Sequence, residues 1–337
     1  MKIGTVDLEQ DILIVAEIGN NHEGSYTLAE EMIGLAAHAG ANAVKFQTFR
    51  TEHYVSKTDE ARFSRLKRFE LSFDEFERLA GVARREGVLF LSTPFDLESA
   101  EFLSRIVPAY KIASGDNDFY PLLESVAGYG KPIILSTGLA EIDQIRRSMA
   151  VIRRVWSERK INESIATLHC VTSYPVPPEE ANLAAIQTLK ERFGGVVGYS
   201  DHTIGIEAAV IAAILGARII EKHFTFNNTY SDFRDHQLSA DPRDFSEMVR
   251  RIRQAQVLLG QGGKVIQPCE QANQPAVRRS IVARRDLPRG SLISQADLDW
   301  IRPGGGLSPG NEYLLIGRRL ARAVSAGEAL TPETVGK

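Results

Sequence analysis

Two lysines stand inside short apolar runs of this 337-residue chain: Lys45 in AVKFQTF (43–49) and Lys111 in AYKIAS (109–114). Burying an ammonium group without a partner is expensive, so each needs an anion. A neighbouring acid would serve structurally, and Glu17 and Asp116 are at hand. The chemical readings are an anion clamp or a Schiff-base lysine. Thr93, Ser114, Ser136 and Ser200 close similar runs. Hydroxyls converging with two ammonium groups suit a phosphate or carboxylate, which favours the clamp.

His202 and His223 end the runs VVGYSDH (196–202) and RIIEKHF (218–224), and His169 lies in IATLHCV (165–171). On adjacent strands the first two imidazoles reach one cation, with His169 as a third nearby. Nitrogen ligands with an open face suit Mn, Fe, Co or Zn. A hydrogen-bonded pair of buried histidines fits the same residues. Asp201 and Glu221 flank the histidines and are assigned by alternation to the opposite face, as structural groups. Glu17 follows the apolar residues 12–16 and reads as a partner for Lys45, as an acid/base group, or as both. Gln47, Thr172, Tyr174 and Lys222 complete the polar residues expected at one mouth. Cys170 reads as a small buried hydrophobe, and GQGGK (260–264) lacks the outer glycine and Ser/Thr of a P-loop.

The elements that must position these groups are eight apolar runs: 12–19, 43–49, 88–94, 109–114, 132–137, 165–171, 196–202 and 218–224. Amphipathic stretches such as 26–40, 72–87 and 205–217 lie between them, with Gly40, Gly87 and Gly216 where helices should stop. Asp241-Pro242 opens a last helix as cap and first-turn proline. Eight strand–helix units within about 250 residues predict an α/β fold, a (β/α)8 TIM barrel with its site at the strands' C-terminal ends. The rival open sheet carries a glycine fingerprint after its first strand, and GNNHEG (19–24) does not match it. The expected organisation is a barrel over 1–262, a linker over 263–277 and a small, mostly β unit over 278–337 with one short helix in SQADLDW (294–300).

Composition excludes other classes. Hydrophobic residues make up 43% and charged residues 25%, as in a folded globular chain. No apolar run is long enough to span a membrane, no signal peptide is read, and two distant cysteines exclude a disulfide framework. A cytoplasmic protein is expected. The net charge of −3 does not suggest nucleic acid or membrane as partner. Residues 278–337 hold nine Arg and one Lys against six acids, a charge of +4 set against −7 elsewhere.

The strings AEIGNNHEG, VKFQTF, FLSTPFD, YKIASGD, KPIILSTGLA, LHCVTSYP, GYSDHTIG and EKHFT resemble the sialic acid synthase family, and 278–334 resembles its antifreeze-like SAF domain. The resemblance implies metal-dependent condensation of phosphoenolpyruvate (PEP) with an N-acylated hexosamine to give a nonulosonic acid. It implies Lys45, Thr93, Lys111, Ser114, Ser136 and Ser200 around PEP, and Glu17 as the catalytic carboxylate. It implies His202 and His223 on a divalent metal, Mn with Mg or Co as alternatives. On the acceptor side it implies Gln47, Asp116, Tyr174, Asp235 and Arg302, the last crossing from the partner subunit of a domain-swapped homodimer. The departures are Phe233-Arg234 before Asp235, a longer stretch after His223, and Thr172 where some members carry Asn. All of them fall on the acceptor side. The competing readings are a PEP-dependent 3-deoxy-ulosonate synthase with a phosphorylated acceptor, for which Arg234 is the one obvious extra cation, and a carbohydrate-binding protein without catalysis.

Overall fold

The computed structural model describes residues 1–336, and the chain divides at Gly260 into two compact units. The first unit is built on one eight-stranded sheet, parallel throughout. Its strands are β1 (Leu13–Gly19), β2 (Ala43–Thr48), β3 (Leu89–Pro94), β4 (Tyr110–Ile112), β5 (Ile133–Ser136), β6 (Ile165–Cys170), β7 (Val196–Asp201) and β8 (Ile219–His223). These are the eight runs read from the sequence. β1 pairs with both β2 and β8, which rolls the sheet up. The seam lies between β3 and β4, which pack side by side with no ladder among the described residues. The fold is a TIM-type barrel.

Both strand faces are apolar because both are covered. One face meets the surrounding helices through residues such as Ile14, Val44, Phe46 and Ile112. The other fills the barrel with Leu13, Val15, Ala43, Leu91, Ile134 and Ile219. A short antiparallel hairpin, Lys2–Ile3 with Val6–Asp7, adds Ile3 and Leu8 to that interior. The sequence did not announce this hairpin, since two-residue strands show no periodicity.

Inward positions recur every second residue, and along the strands they change from apolar to polar. Val15 gives way to Glu17, Ala43 to Lys45, Leu91 to Thr93, Ala109 to Lys111 and Ile134 to Ser136. The apolar half forms a floor, and the polar half faces the C-terminal mouth. The helices start where small polar residues accept a backbone N–H, as at Ser25, Ser72, Asp96 and Asp241. Three stop at Gly40, Gly87 and Gly216, each with φ near +90° or somewhat below.

The second unit pairs β9 (Ser280–Ala283) with β10 (Leu298–Ile301), antiparallel, over a small core of Ile281, Leu287, Ile293, Leu298, Leu315 and Leu330. Two expectations change here. The short helix expected over 294–300 is a single 3₁₀ turn, Gln295–Asp297, opened by reciprocal Ser294–Asp297 capping and followed at once by β10. Within 263–277 lie two one-turn helices, Pro268–Gln271 and Gln274–Val277, each with proline in its first turn.

Candidate active site

The C-terminal end of the barrel opens into a cavity of about 920 Å³. Glu17, Lys45, Gln47, Thr93, Lys111, Ser114, Asp116, Ser136, Tyr174, Ser200, His202, His223 and Asp235 all line it. Arg302 belongs to the second unit, where it is exposed.

At the base of the cavity the two lysines are tied together by acids. Lys45 Nζ lies 2.8 Å from Glu17 Oε2, 3.7 Å from Glu221 Oε2 and 3.1 Å from Thr93 Oγ1. Lys111 Nζ lies 3.4 Å from Glu221 Oε1, which also accepts from Ser200 Oγ at 2.7 Å. Strand register brings these groups together: Glu17 sits opposite Lys45, and Glu221 opposite Ser200.

Glu221 therefore overturns its assignment to the far face. It stands two residues before His223, and positions i and i+2 share a face. The partner of Lys111 is Glu221 rather than Asp116. Asp201 does face outward, where it pairs with Lys222 at 3.0 Å. Lys222 thus points away from the mouth, contrary to expectation. His169 is also turned out: its Nε2 meets the Ala181 carbonyl at 2.8 Å and its ring stacks on Tyr199. It alternates with Cys170, which takes the inward position and lines the cavity.

The two buried carboxyls have opposite electrostatics. Burial pushes Glu17 up to about 7, with Lys45 opposing and Glu221 adding to the rise. For Glu221, burial is outweighed by Lys111, Lys45 and the Ser200 hydroxyl, which hold it down at about 2. Paired carboxyls with divergent proton affinities are suited to different tasks. Glu221 is a fixed anion, and Glu17 exchanges a proton near neutrality.

Beside Lys111 the site is shaped for a small anion. The Gly138 N–H donates to Ser114 Oγ at 3.1 Å. A Cβ at Gly138 would come within 2.4 Å of Thr172 Oγ1 and 2.7 Å of Ser114 Oγ, so only glycine fits. Ser136 Oγ and Thr172 Oγ1 are buried without a hydrogen-bond partner among the described residues. Unsatisfied buried hydroxyls are costly, and a ligand's oxygens would satisfy them.

The His202 and His223 rings are 5.4 Å apart. His202 Nδ1 donates to the Val171 carbonyl at 2.8 Å, which leaves the Nε2 lone pair free. Burial, then His202 and Lys45, hold His223 well below the ordinary histidine range, and its Nδ1 is buried without a partner among the described residues. The pKa of His202 is raised, burial being outweighed by Cys170, the Val171 carbonyl and Glu221. His223 offers a free lone pair and His202, once deprotonated, a second, a pair that fits a divalent ion. Among the described residues no cluster of three His, Cys, Asp or Glu side chains completes a cage, so further positions would fall to water or substrate.

On the other side, Gln47 donates to Glu17 Oε1 at 3.3 Å and accepts from Asn20 at 2.8 Å. Burial, with Asp118 adding, pushes Asp116 up to about 6. Asp235, on the one-turn helix Arg234–Leu238, is likewise raised by burial, with Arg234 opposing. The Arg234 guanidinium lies 4.8 Å over the Tyr174 ring, which also packs against His202 at 4.1 Å and edge-on to His223 at 5.9 Å. Sequence reasoning missed Asn20, Glu23, Tyr54 and the arginines of the helix Glu60–Phe69, all of which line the cavity. Arg62, Arg65 and Arg68 recur every third residue, and that spacing was the available signal.

The NeuB family model matches residues 32–264, and the SAF domain model matches residues 278–335. An uncharacterised protein of Methanocaldococcus jannaschii is 43% identical over 95% of this chain and 94% of its own length. The N,N'-diacetyllegionaminic acid synthase of Legionella pneumophila is 37% identical over 96% of this chain and 94% of its own. A solved N-acetylneuraminic acid (sialic acid) synthetase from Leptospira borgpetersenii is 35% identical, with a TM-score of 0.76, over 81% of this chain and 94% of that one.

Proposed function

Because this chain belongs to the NeuB family, the sialic acid synthases with a C-terminal SAF domain, we propose that it condenses PEP with an N-acylated hexosamine and releases phosphate. The observation that carries this reading is the base of the cavity: two lysines and a ring of hydroxyls beside a carboxyl with a pKa of about 7. The similarity to an N,N'-diacetyllegionaminic acid synthase favours an acceptor with two acylamino groups. Three carbons of PEP added to a hexose give the nine-carbon product.

Lys45, Lys111, Thr93, Ser114, Ser136 and Ser200 bind the carboxylate and phosphate of PEP and fix its C3 toward the acceptor aldehyde, a gain in proximity. C3 bonds to the aldehyde carbon, and Glu17 gives its proton to the aldehyde oxygen. Water then adds at PEP C2 and returns one proton to Glu17; the C2–O bond to phosphate breaks as the new C2 hydroxyl becomes the ketone and its proton leaves with phosphate. One carboxyl with a pKa near neutrality can serve as acid and then base. Gln47 orients Glu17, while Asp116, Tyr174 and Asp235 hold acceptor hydroxyls. His202 and His223 would hold a divalent metal, Mn by preference, which supplies Lewis-acid polarisation when bound. The working form is taken to be a cytoplasmic homodimer.

The test is phosphate release from PEP with Mn across N-acetylmannosamine, a 2,4-diacetamido-6-deoxy hexose, mannose and arabinose 5-phosphate. Release with an N-acyl hexosamine is expected. Release only with the phosphorylated pentose would overturn the reading. For the metal pair, His202→Ala and His223→Ala should each lose bound Mn by elemental analysis after dialysis. Undiminished metal in both variants would remove the two histidines from that role.

A further inference from the structure

We propose that Arg62, Arg65 and Arg68 form a cationic collar that draws PEP into the cavity, a role that rests on the reading above. All three line the cavity from one ten-residue helix, Glu60–Phe69, and all three are exposed. None has a carboxylate within 4.0 Å among the described residues. The helix's fourth cation, Lys67, does not line the cavity and is tied to Glu52 and Glu70, each at 3.1 Å. The helix thus keeps its unpaired charge on the side that faces the site.

The helix is also firmly seated. Leu66 and Phe69 are buried, and the Phe69 ring stands edge-on to Phe233 at 5.3 Å. The carbonyl of Arg68 approaches Gly24 so closely that a Cβ there would lie 2.1 Å from it. Gly24 has φ +86°, so glycine is required on both counts.

The charge balance of the lining shows what the collar does. Lys45 and Lys111 are already paired with Glu17 and Glu221, so without the collar Glu23, Asp116, Asp232 and Asp235 would face only Arg234. An approaching anion with up to three negative charges would meet an acidic mouth. The collar offsets this excess at the entrance, while the lysines that hold the anion in place lie below. Charges of one sign around a cleft raise the association rate of an oppositely charged ligand by about 10–10³-fold, an effect that falls with ionic strength. A phosphate on the acceptor would meet the same arginines, so the experiment carries an arm for each source.

The triple variant R62Q/R65Q/R68Q keeps the helix propensity and removes only exposed groups. Its kcat/KM for PEP at low salt should fall about tenfold or more, with kcat within about twofold of the parent. The salt dependence of that constant should flatten, and kcat/KM for the acceptor at saturating PEP should hold. The proposal fails if kcat/KM for PEP is unchanged, if the loss is the same at low and high salt, or if it falls on the acceptor alone. Calorimetric titration with PEP in the absence of acceptor separates this failure from failure of the synthase reading. PEP binding weakened by the substitutions, in an enzyme that condenses no acceptor, leaves the collar standing and removes the reaction.

Discussion

Glu17→Gln should lower kcat by about 10²–10⁴-fold, the range for a positioned general acid–base group. PEP should still bind. The substitution keeps the side chain's shape and the acceptor oxygen for Gln47, and matches the neutral charge of the protonated carboxyl beside Lys45 while removing the transferable proton. Lys45 retains Glu221 at 3.7 Å. Turnover near the parent level would end the catalytic role of Glu17; loss of PEP binding would make it a structural support for Lys45 instead. The parent's pH profile carries a second readout. In the proposed acid role Glu17 starts protonated, so kcat/KM for PEP should fall as pH rises above about 7, and a flat profile across that value would contradict that role. Stability follows the same sign. The folded chain holds this proton more tightly than the unfolded chain, so stability declines as pH rises from 4.5 to about 7. Glu17→Gln should remove that slope.

Glu221→Ala should be the most damaging substitution for the fold itself. The carboxylate lies between two ammonium groups and is the acid within 4.0 Å of Lys111 among the described residues. Removing one partner of a buried charge cluster costs about 3–5 kcal/mol. In a barrel of this size that lowers Tm by roughly ten degrees. Phosphate or PEP should restore part of the loss by supplying the missing anion. A Tm within a degree of the parent would show that the lysines do not depend on Glu221. Because Lys111, Lys45 and Ser200 hold Glu221 at about 2, its contribution is present above 4.5 and lost as pH falls toward 2.

The barrel was legible because its signal is repetition. Each apolar run recurs with a helical stretch behind it, and the lysines stood out by interrupting apolar runs. The errors came from applying period two to the wrong neighbour. Glu221 and His223 are two apart and share a face, whereas His169 and Lys222 are one residue off the inward set. The collar was hidden for another reason: an exposed arginine in a helix reads as a solvated surface until the helix is seen docked across a cavity. The close approach of Arg68 to Gly24 joins residues 44 apart and leaves no mark on local periodicity.

The pairing of β1 with β8 has a consequence for how this molecule comes into being. Leu13 takes Ile219 as its neighbour, so the first strand waits for the last. At roughly 5–20 residues per second, the ribosome needs about 10–40 s to make the stretch between them. Throughout that interval β1 has one edge bare, and the chain beyond Gly19 can gather only as an open, one-sided sheet. Glu17 cannot meet Glu221 until the strand carrying Glu221 emerges. Catalytic competence therefore arrives in one event late in synthesis, and a message cut short before that strand yields an aggregation-prone remnant instead of a weaker enzyme.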